Sequence, residues 1–343
     1  MAAASTSPNA ASGWTSRALQ PGDEPRLAEL LAATFDGWPS VEVAVDPVEH
    51  LRWKLANHPD ASRYHVVADA GTAIVGSRLF LVQDVLVGGR AFRARQEVDA
   101  AVHPDWQGRG VMSDMVRFAN EAHGREPDLW YAVRSRHAAM LHLNESDDAE
   151  AFFSKVSVVE RRLDAADDAN AHPPRAVGMT VQPVEVFDER VDALFAEASA
   201  TFAFIVRRDR SYLDWRYADP RAGRYSITLA EEGERLVGYV VASVSHGQGA
   251  ISDLLTLPGR DDVVASLLLD AEARLREAGV SAVECWSSPS HPYAQVLRQL
   301  GYLRKRRTIG LKFVPRGATR EELAALGGRR ARLHIMAGDT DLV

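Results

Sequence analysis

The first half of the chain alternates between two spacings of apolar residues, one typical of helices and one typical of strands. Between Asp23 and Phe35 the apolar side chains share one helical face, which predicts a helix with Asp23 as its N-terminal cap. Shorter helices are predicted over His50–Ala56 and Ala149–Val156. Continuous or alternating apolar runs predict strands over Tyr64–Ala68, Ala73–Val87, Phe92–Val102 and Leu129–Val133.

The strand predicted over Phe92–Val102 leads into a glycine-containing turn and then into an amphipathic helix. Gly108 and Gly110 allow main-chain N–H groups to approach an anion without interference from a Cβ atom. The helix that follows has unpaired N–H groups and the positive end of its dipole at the same place. The sequence therefore predicts a phosphate-binding turn here, and a turn without a ligand is the alternative.

The residues of this turn resemble the acyl-CoA signature of the GNAT superfamily of N-acyltransferases. Gln107-Gly-Arg-Gly-Val-Met112 is similar to the Q/R-x-x-G-x-G/A pattern and departs from it at Met112, where Gly or Ala is usual. The resemblance implies acetyl-CoA or another acyl-CoA as co-substrate, with its pyrophosphate on the turn and its thioester beside the preceding strand. The contacts it implies are Ala100, Ala101, Val102, Gln107, Gly108, Arg109, Gly110, Val111, Met112, Ser113, Asn144 and Ser146.

The motifs of the first half recur, in weaker form, after residue 178. Leu51-Arg-Trp53 lines up with Leu213-Asp-Trp215, and Val75-Gly76 lines up with Val237-Gly238. The counterpart of the glycine turn, Leu257–Val263, lacks the signature and carries two aspartates, whose charge would repel a pyrophosphate. We therefore expect a tandem duplication in which the first copy is catalytic and the second is structural or shapes the substrate site.

The predicted fold is α/β, with two tandem GNAT-like domains, each a mostly antiparallel mixed sheet flanked by helices. We expect a disordered leader over residues 1–14, a catalytic acyl-CoA-binding domain over 15–164, a linker over 165–178 and a degenerate second domain over 179–343.

Acyl transfer to an amine requires a proton acceptor beside the thioester. Glu97 and Asp99 are two positions apart on the predicted strand, so we expect both carboxylates on one face, where either one would deprotonate or hold an ammonium group. Such a charged face suggests a cationic acceptor. The alternative is that these carboxylates pair with Arg93 or Arg95 on a solvated face.

The proton donor is less evident, because Phe153 stands where the family often has its tyrosine acid. Tyr131 at the end of the next strand, His137 and His142 are the expected substitutes, and the alternative is a core tyrosine and solvated histidines. The polar stretch Arg134–Asn144 would shape the acceptor site or form a solvated surface turn. In some relatives with paired GNAT domains the C-terminal carboxylate enters the site, which adds the candidates Asp339, Asp341 and Val343.

Composition narrows the possible partners. The net charge is −7 and the basic residues are scattered, which argues against nucleic acid. No apolar run reaches membrane-spanning length. A single cysteine, Cys285, excludes an intrachain disulfide and a cysteine-based zinc site, so no metal is expected and a reducing cytoplasm is the default location.

The predicted function is an acyl-CoA-dependent N-acetyltransferase that acts directly on a small-molecule amine, such as an amino sugar or an amine-bearing metabolite. The alternatives are an acyltransferase for a protein or peptide amine and a non-catalytic acyl-CoA-binding sensor or scaffold. The sequence leaves the oligomeric state open.

Overall fold

A computed structural model describes residues 13–124, 126, 128–133, 151–164, 178–327 and 330–340. Its helices are α1 (Glu24–Thr34), α2 (Pro47–Leu55), α3 (Val111–His123), α4 (Arg190–Ala198), α5 (Arg210–Leu213, continued by a π-helical turn over Asp214–Ala218), α6 (Asp261–Glu277) and α7 (Ala294–Gln299). Within these ranges, no helix has the length and apolar character needed to cross a membrane.

The strands run through both halves of the chain and belong to one mixed, mostly antiparallel sheet. They are β1 (Thr15–Ala18), β2 (Val66–Asp69), β3 (Ile74–Val87), β4 (Arg90–Val102), β5 (Leu129–Val133), β6 (Phe152–Arg162), β7 (Thr180–Val184), β8 (Phe204–Val206), β9 (Tyr225–Glu232), β10 (Arg235–Ser245), β11 (Gln248–Thr256), β12 (Ala282–Ser287), β13 (Leu303–Pro315) and β14 (Leu333–His334). The α/β fold class and the mixed sheet flanked by helices are confirmed.

Helix α2 starts earlier than its apolar pattern predicted, because Asp46 caps it by accepting a hydrogen bond from the Val48 N–H at 2.8 Å. Asp23, by contrast, does not cap α1 with its side chain. Its carboxylate instead accepts hydrogen bonds from Arg17 and Arg26 and from the Gln20 N–H. The prediction of an Asp23 cap was therefore wrong.

The helix predicted over Ala149–Val156 was also wrong, since β6 begins at Phe152. This strand pairs with β13 on one side and with β12 on the other, and Val156 and Val158 are fully buried. Branched side chains between two neighbouring strands pack well on a pleated surface. Tertiary pairing thus overrides the helical spacing of this segment.

The order of the strands shows that the two halves exchange a strand. The sheet runs β1-β2-β3-β4-β5-β13-β6-β12-β11-β10-β9-β7. Strand β13 from the second half lies beside β5, and β6 from the first half lies beside β12, both in antiparallel pairing. Each half therefore completes the sheet of the other, and the edge between them is closed by main-chain hydrogen bonds.

Corresponding elements of the two halves meet near their common boundary. Trp53 and Trp215, which occupy equivalent positions in the predicted repeat, stack with ring centroids 4.8 Å apart. Each indole N–H donates to the main-chain oxygen of the other tryptophan, at 3.1 and 3.4 Å. This reciprocal contact supports the structural role expected for these tryptophans, while the duplication itself stays a prediction.

The helix after the glycine turn is fixed to the sheet by close packing. Val111, Met115 and Phe118 are buried against β2 and β3. At Gly76 of β3, a Cβ atom would lie 2.8 Å from Cγ1 of Val111, so only glycine lets the helix approach this closely. Trp14, expected in a disordered leader, is buried at the same helix and donates to Asp114 at 3.3 Å. Residues 1–12 lie outside the described ranges.

Candidate active site

The described pairing of β4 with β5 ends just before a β-bulge in β4. The parallel pairing of the two strands runs from Ala94 with Leu129 to Glu97 with Ala132, the last pair among the described residues. Beyond it, Leu79 pairs with Val98 and Ser77 with Ala101, so β4 contains one extra residue. Asp99 lies in this bulge with a φ of 44°, an uncommon value for a residue other than glycine. On the side of β4 that faces β5, no described strand pairs with the residues after Glu97, and we call this unpaired edge the opening.

The hydrogen bonds of the end of β4 show which amide faces this opening. The His103 N–H donates to the Val75 oxygen of β3 at 3.0 Å. Because successive residues of a strand direct their amides to opposite edges, the N–H of Val102 points away from β3, towards the opening, and that of Ala101 points towards β3. The Val102 oxygen accordingly accepts from Nε2 of Gln107, at 3.2 Å, rather than from β3. Of these two amides, only that of Val102 is directed towards a group bound in the opening.

The glycine turn presents a row of unused N–H groups. Gly108 and Gly110 have φ values of 75° and 86°, and no heavy atom lies within 4 Å of a Cβ placed at either. In the described part of the chain, no hydrogen bond is donated by the N–H groups of residues 108–113, and the first bond of α3 runs from the Asp114 N–H to the Gly110 oxygen. Six successive donors at a helix N-terminus form an anion site.

The side chains around this turn leave the row of N–H groups open. The Asp114 carboxylate is held by Ser16 Oγ at 2.7 Å and by Arg117. The Arg109 guanidinium lies 5.1 Å from the centroid of the Trp106 ring, a cation–π distance, so a positive charge stands at the exposed edge of the turn. Met112, the departure from the signature, is buried beneath the helix. Its side chain therefore leaves the main-chain donors exposed.

The equivalent turn of the second half is closed by its own side chains. Arg260 pairs with Asp262 at 2.9 Å and with Glu232 at 2.5 Å. The same arginine lowers the pKa of Asp262. The N–H groups of Val263 and Val264 both donate to the Arg260 oxygen at 3.1 Å. The N–H groups of Arg260, Val263 and Val264 are therefore used and the first turn of the helix carries two aspartates, in contrast with the turn at residues 108–113.

Glu97 and Asp99 do not share a face of the sheet, contrary to the prediction. Glu97 pairs with Arg78 at 2.6 Å on the face that carries Phe80. Asp99 accepts from Lys54 Nζ at 2.6 Å and from Trp38 Nε1 at 3.2 Å, on the face covered by α1 and α2. The cause is the bulge, because its extra residue reverses the alternation of side chains along β4.

Each carboxylate is ion-paired on its own face of the sheet, Glu97 with Arg78 and Asp99 with Lys54. Neither Arg93 nor Arg95, the partners considered as an alternative from the sequence, takes part in these two ion pairs. Arg93 bonds to Asp84 at 2.6 Å, and Arg95 is buried with its guanidinium 5.0 Å from the centroid of the Phe80 ring. The inference of a cationic acceptor therefore loses its basis.

Tyr131 belongs to the core. Its ring packs between Phe204 and Phe313, with centroids at 5.6 and 5.8 Å, and its hydroxyl donates to Oε1 of Gln83. Burial raises the pKa of the hydroxyl well above its ordinary value. This environment supports the alternative in which Tyr131 is a core residue. The buried hydroxyl does not reach the opening.

A small recess lies beside Asp99, between the two halves, with an internal volume of about 20 Å³. The lining includes Lys54 and Trp38, which also bond to Asp99. The other lining residues are Pro39, Ser40, Val41, His50, Trp53, Leu81, Trp215, Arg216, Ala222 and Thr340. Sequence reasoning missed His50, Lys54 and Arg216; the spacing of His50 and Lys54, one helical turn apart on α2, was their only signal.

The other residues proposed from the sequence are either buried or outside the described ranges. Asp339 forms a buried ion pair with Arg208 at 2.7 Å, away from the recess lining. Cys285 is buried, and burial raises the pKa of its thiol to about 12, in keeping with a core residue. Asn144, Ser146, the stretch Arg134–Asn144, Asp341 and Val343 lie outside the described ranges. No group of three metal-ligating side chains is present among the described residues.

The fold is similar to that of several solved structures. A GCN5-related N-acetyltransferase from Anabaena variabilis ATCC 29413 superposes with a TM-score of 0.64 at 11% identity, over 88% of this chain and 72% of that one. A GCN5-related N-acetyltransferase from Sphaerobacter thermophilus gives 0.53 at 19% identity, over 91% and 98%. The Saccharomyces cerevisiae N-myristoyltransferase, solved with bound myristoyl-CoA and inhibitors, gives 0.59 at 11% identity, over 88% and 80%.

Sequence comparison identifies the family of the first half. No curated protein matches the sequence. Residues 15–126 match the family described as acetyltransferase (GNAT) domain. This range contains β1 to β4, the glycine turn and α3, which together build the anion site and one side of the opening. Residues 15–126 are therefore a GNAT acetyltransferase domain.

Proposed function

We propose that this protein transfers an acetyl or other acyl group from coenzyme A directly to the amine of a small molecule, using the turn at residues 108–113 as its pyrophosphate site. The observation that carries the proposal is the row of six unused N–H groups at the start of α3, next to the opening in the sheet. Backbone donors at a helix N-terminus favour phosphate through both hydrogen bonds and the helix dipole.

The residues around the opening have separate roles in this proposal. Bound acyl-CoA would supply the thioester carbonyl. Val102 directs its N–H to the opening, where it would donate to the carbonyl oxygen and stabilise the negative charge that develops as the amine attacks. Arg109 stands at the edge of the turn and would add charge for the phosphates. The carbon–nitrogen bond forms as the carbon–sulfur bond breaks, and the sulfur leaves as a thiol after taking up a proton.

We assign the acceptor to the side of the sheet that carries the recess beside Asp99. It lies on the face of α1 and α2, opposite the face that α3 covers, and the two Asp99 partners Lys54 and Trp38 form part of its wall. Its internal volume of about 20 Å³ has room for about one water molecule, so a small acceptor would bind at its mouth. In this proposal the two halves have different roles. The first half binds the phosphates of coenzyme A, and the second half contributes Trp215 and Arg216 to the wall of the recess.

A thiol-release assay with acetyl-CoA and a panel of small amines tests the proposal. We expect amine-dependent release of coenzyme A and a stoichiometric acylated amine by mass spectrometry. Binding of coenzyme A without release for any small amine would contradict the small-molecule assignment. Including a lysine-containing peptide in the panel separates a protein acceptor from a protein that only binds acyl-CoA.

A further inference from the structure

A larger cleft lies at the other end of β4 from the glycine turn. Its internal volume is about 730 Å³, which is in the range of a small-molecule pocket. Strand β4 begins beside the cleft at Arg90 and ends at Val102, so its 13 residues put about 40 Å between the cleft and the glycine turn. The cleft is therefore separate from the proposed acyl-CoA site.

Three segments of the chain build the walls of this cleft. They are the turn between β3 and β4 at Gly88, residues 200–203 before β8, and parts of residues 325–332 before β14. Main-chain hydrogen bonds join the three segments, because the Gly88 N–H donates to the Ala203 oxygen at 3.0 Å and the Ala203 N–H donates to the Arg332 oxygen at 2.8 Å. The walls are thus held together before any ligand binds.

The cleft carries positive charge. Arg330 and Arg332 are exposed in its lining, and neither guanidinium forms a hydrogen bond or an ion pair with a residue that the structure describes. The described lining contains no acidic residue. The carboxylate of Glu322, close by in the chain, is paired with Arg90 at 2.8 Å. In a protein with a net charge of −7, two unpaired cations in one cleft are a local excess of positive charge.

The other side chains of the lining leave room for a ligand. Six of the ten lining residues are glycine or alanine, so side chains do not fill the volume. The Thr201 hydroxyl makes no hydrogen bond to a described residue and can donate one to an anion. Guanidinium groups match the oxygens of phosphate and carboxylate groups, to which they donate two parallel hydrogen bonds. The lining therefore suits an anion with more than one charged group.

We propose that this cleft binds a small molecule with two or more phosphate or carboxylate groups, held by Arg330 and Arg332. The Thr201 hydroxyl donates a further hydrogen bond to the same ligand. The site goes beyond the proposed function, because its ligand is neither the acyl-CoA nor the acceptor amine. Since the walls come from both halves of the chain, the bound anion also stabilises their junction.

Isothermal titration calorimetry of the full chain with pyrophosphate and with citrate tests the proposal. Gly108→Asp is the background for all measurements, since it removes the other expected phosphate site. Binding of pyrophosphate alone would identify a phosphorylated ligand, and binding of citrate alone a polycarboxylate; either result supports the site. Arg330→Gln combined with Arg332→Gln should raise the Kd roughly tenfold, the effect of two lost exposed ion pairs. Binding of neither anion at millimolar concentration, or an unchanged Kd in this double variant, would overturn the inference.

Two further variants separate a built site from general attraction of anions to the surface. Arg304→Gln combined with Arg306→Gln removes two exposed arginines of β13, outside the cleft, and should leave the Kd unchanged. Ala200→Trp fills the cleft without a change of charge and should abolish binding. Thermal unfolding without anion checks that each variant folds. An equal loss in the two arginine pairs, or unchanged binding in Ala200→Trp, would overturn the inference, because the anion would then be bound elsewhere.

Discussion

Replacing Gly108 by aspartate tests the phosphate-binding turn against a matched glycine of the same protein. Gly108 and Gly259 occupy the equivalent turns of the two halves, with φ values of 75° and 74°, and a Cβ at either position meets no atom within 4 Å. The conformational cost of a side chain at positive φ is therefore similar at both sites, about 1–2 kcal/mol. The two variants differ in only one expected respect, the proximity of the new carboxylate to bound phosphate.

The magnitude follows from the charges. A carboxylate about 4 Å from a phosphate charge is repelled by about 1 kcal/mol in bulk water and about 4 kcal/mol near a protein surface. Since about 1.4 kcal/mol corresponds to a factor of ten, Gly108→Asp should raise the Kd for coenzyme A by about one to three orders of magnitude. We expect Gly259→Asp to bind as the wild type does, because its turn is closed by Arg260 and Asp262.

Isothermal titration calorimetry with coenzyme A measures the two effects, and thermal unfolding confirms that each variant folds. Equal affinity of Gly108→Asp and wild type would refute the reasoning. An equal loss in both glycine variants would also refute it, because that result would trace the effect to strain and not to phosphate repulsion.

Three further predictions concern groups beside the site. Tyr131→Phe should retain kcat within about threefold in the thiol-release assay, because the hydroxyl is buried against Gln83; a loss of 100-fold or more would restore it as the acid. Asp99→Asn should reduce kcat/KM for the amine far more than the affinity for coenzyme A, since it leaves Lys54 without its carboxylate partner; equal losses in the two measurements would contradict this separation. Asp23→Asn should destabilise the fold at neutral pH: burial opposes ionisation of Asp23, but Arg17, the Gln20 N–H and Arg26 hold its pKa at about 2. This lowered pKa gives a contribution of about 2 kcal/mol that is present above the unfolded-state pKa and is lost as the pH falls towards 2; urea unfolding at pH 7 and pH 2.5 should show the difference between variant and wild type shrinking.

The sequence was sufficient to predict the elements whose signals are local. Strand β4, the glycine turn and α3 follow one another within about thirty residues. The strand and the helix are marked by the spacing of their apolar residues, the turn by its two glycines, and the end of the helix by Gly124. The predicted repeat rests in part on Trp53 and Trp215, which occur at the same place in two similar runs of residues. Their mutual stacking then required the three-dimensional structure.

The features that the sequence could not reveal depend on pairing between distant segments. Strand β6 was mistaken for a helix because its partners, β12 and β13, lie more than 100 residues away. The residue types around Asp99 do not indicate a bulge. Because of this bulge, Glu97 and Asp99 lie on opposite faces although they are two positions apart. The recess combines α2 with residues 215, 216 and 340, so no stretch of sequence contains it.

Hydrogen exchange of the turn amides measures the central claim most directly. On addition of coenzyme A, the account predicts slower exchange for the N–H groups of residues 108–113, which have no hydrogen-bond acceptor within the described structure. Residues 259–264 of the second half should exchange at an unchanged rate. Protection in the second turn, or in neither turn at coenzyme A concentrations that saturate the protein, would contradict the assignment of the pyrophosphate site.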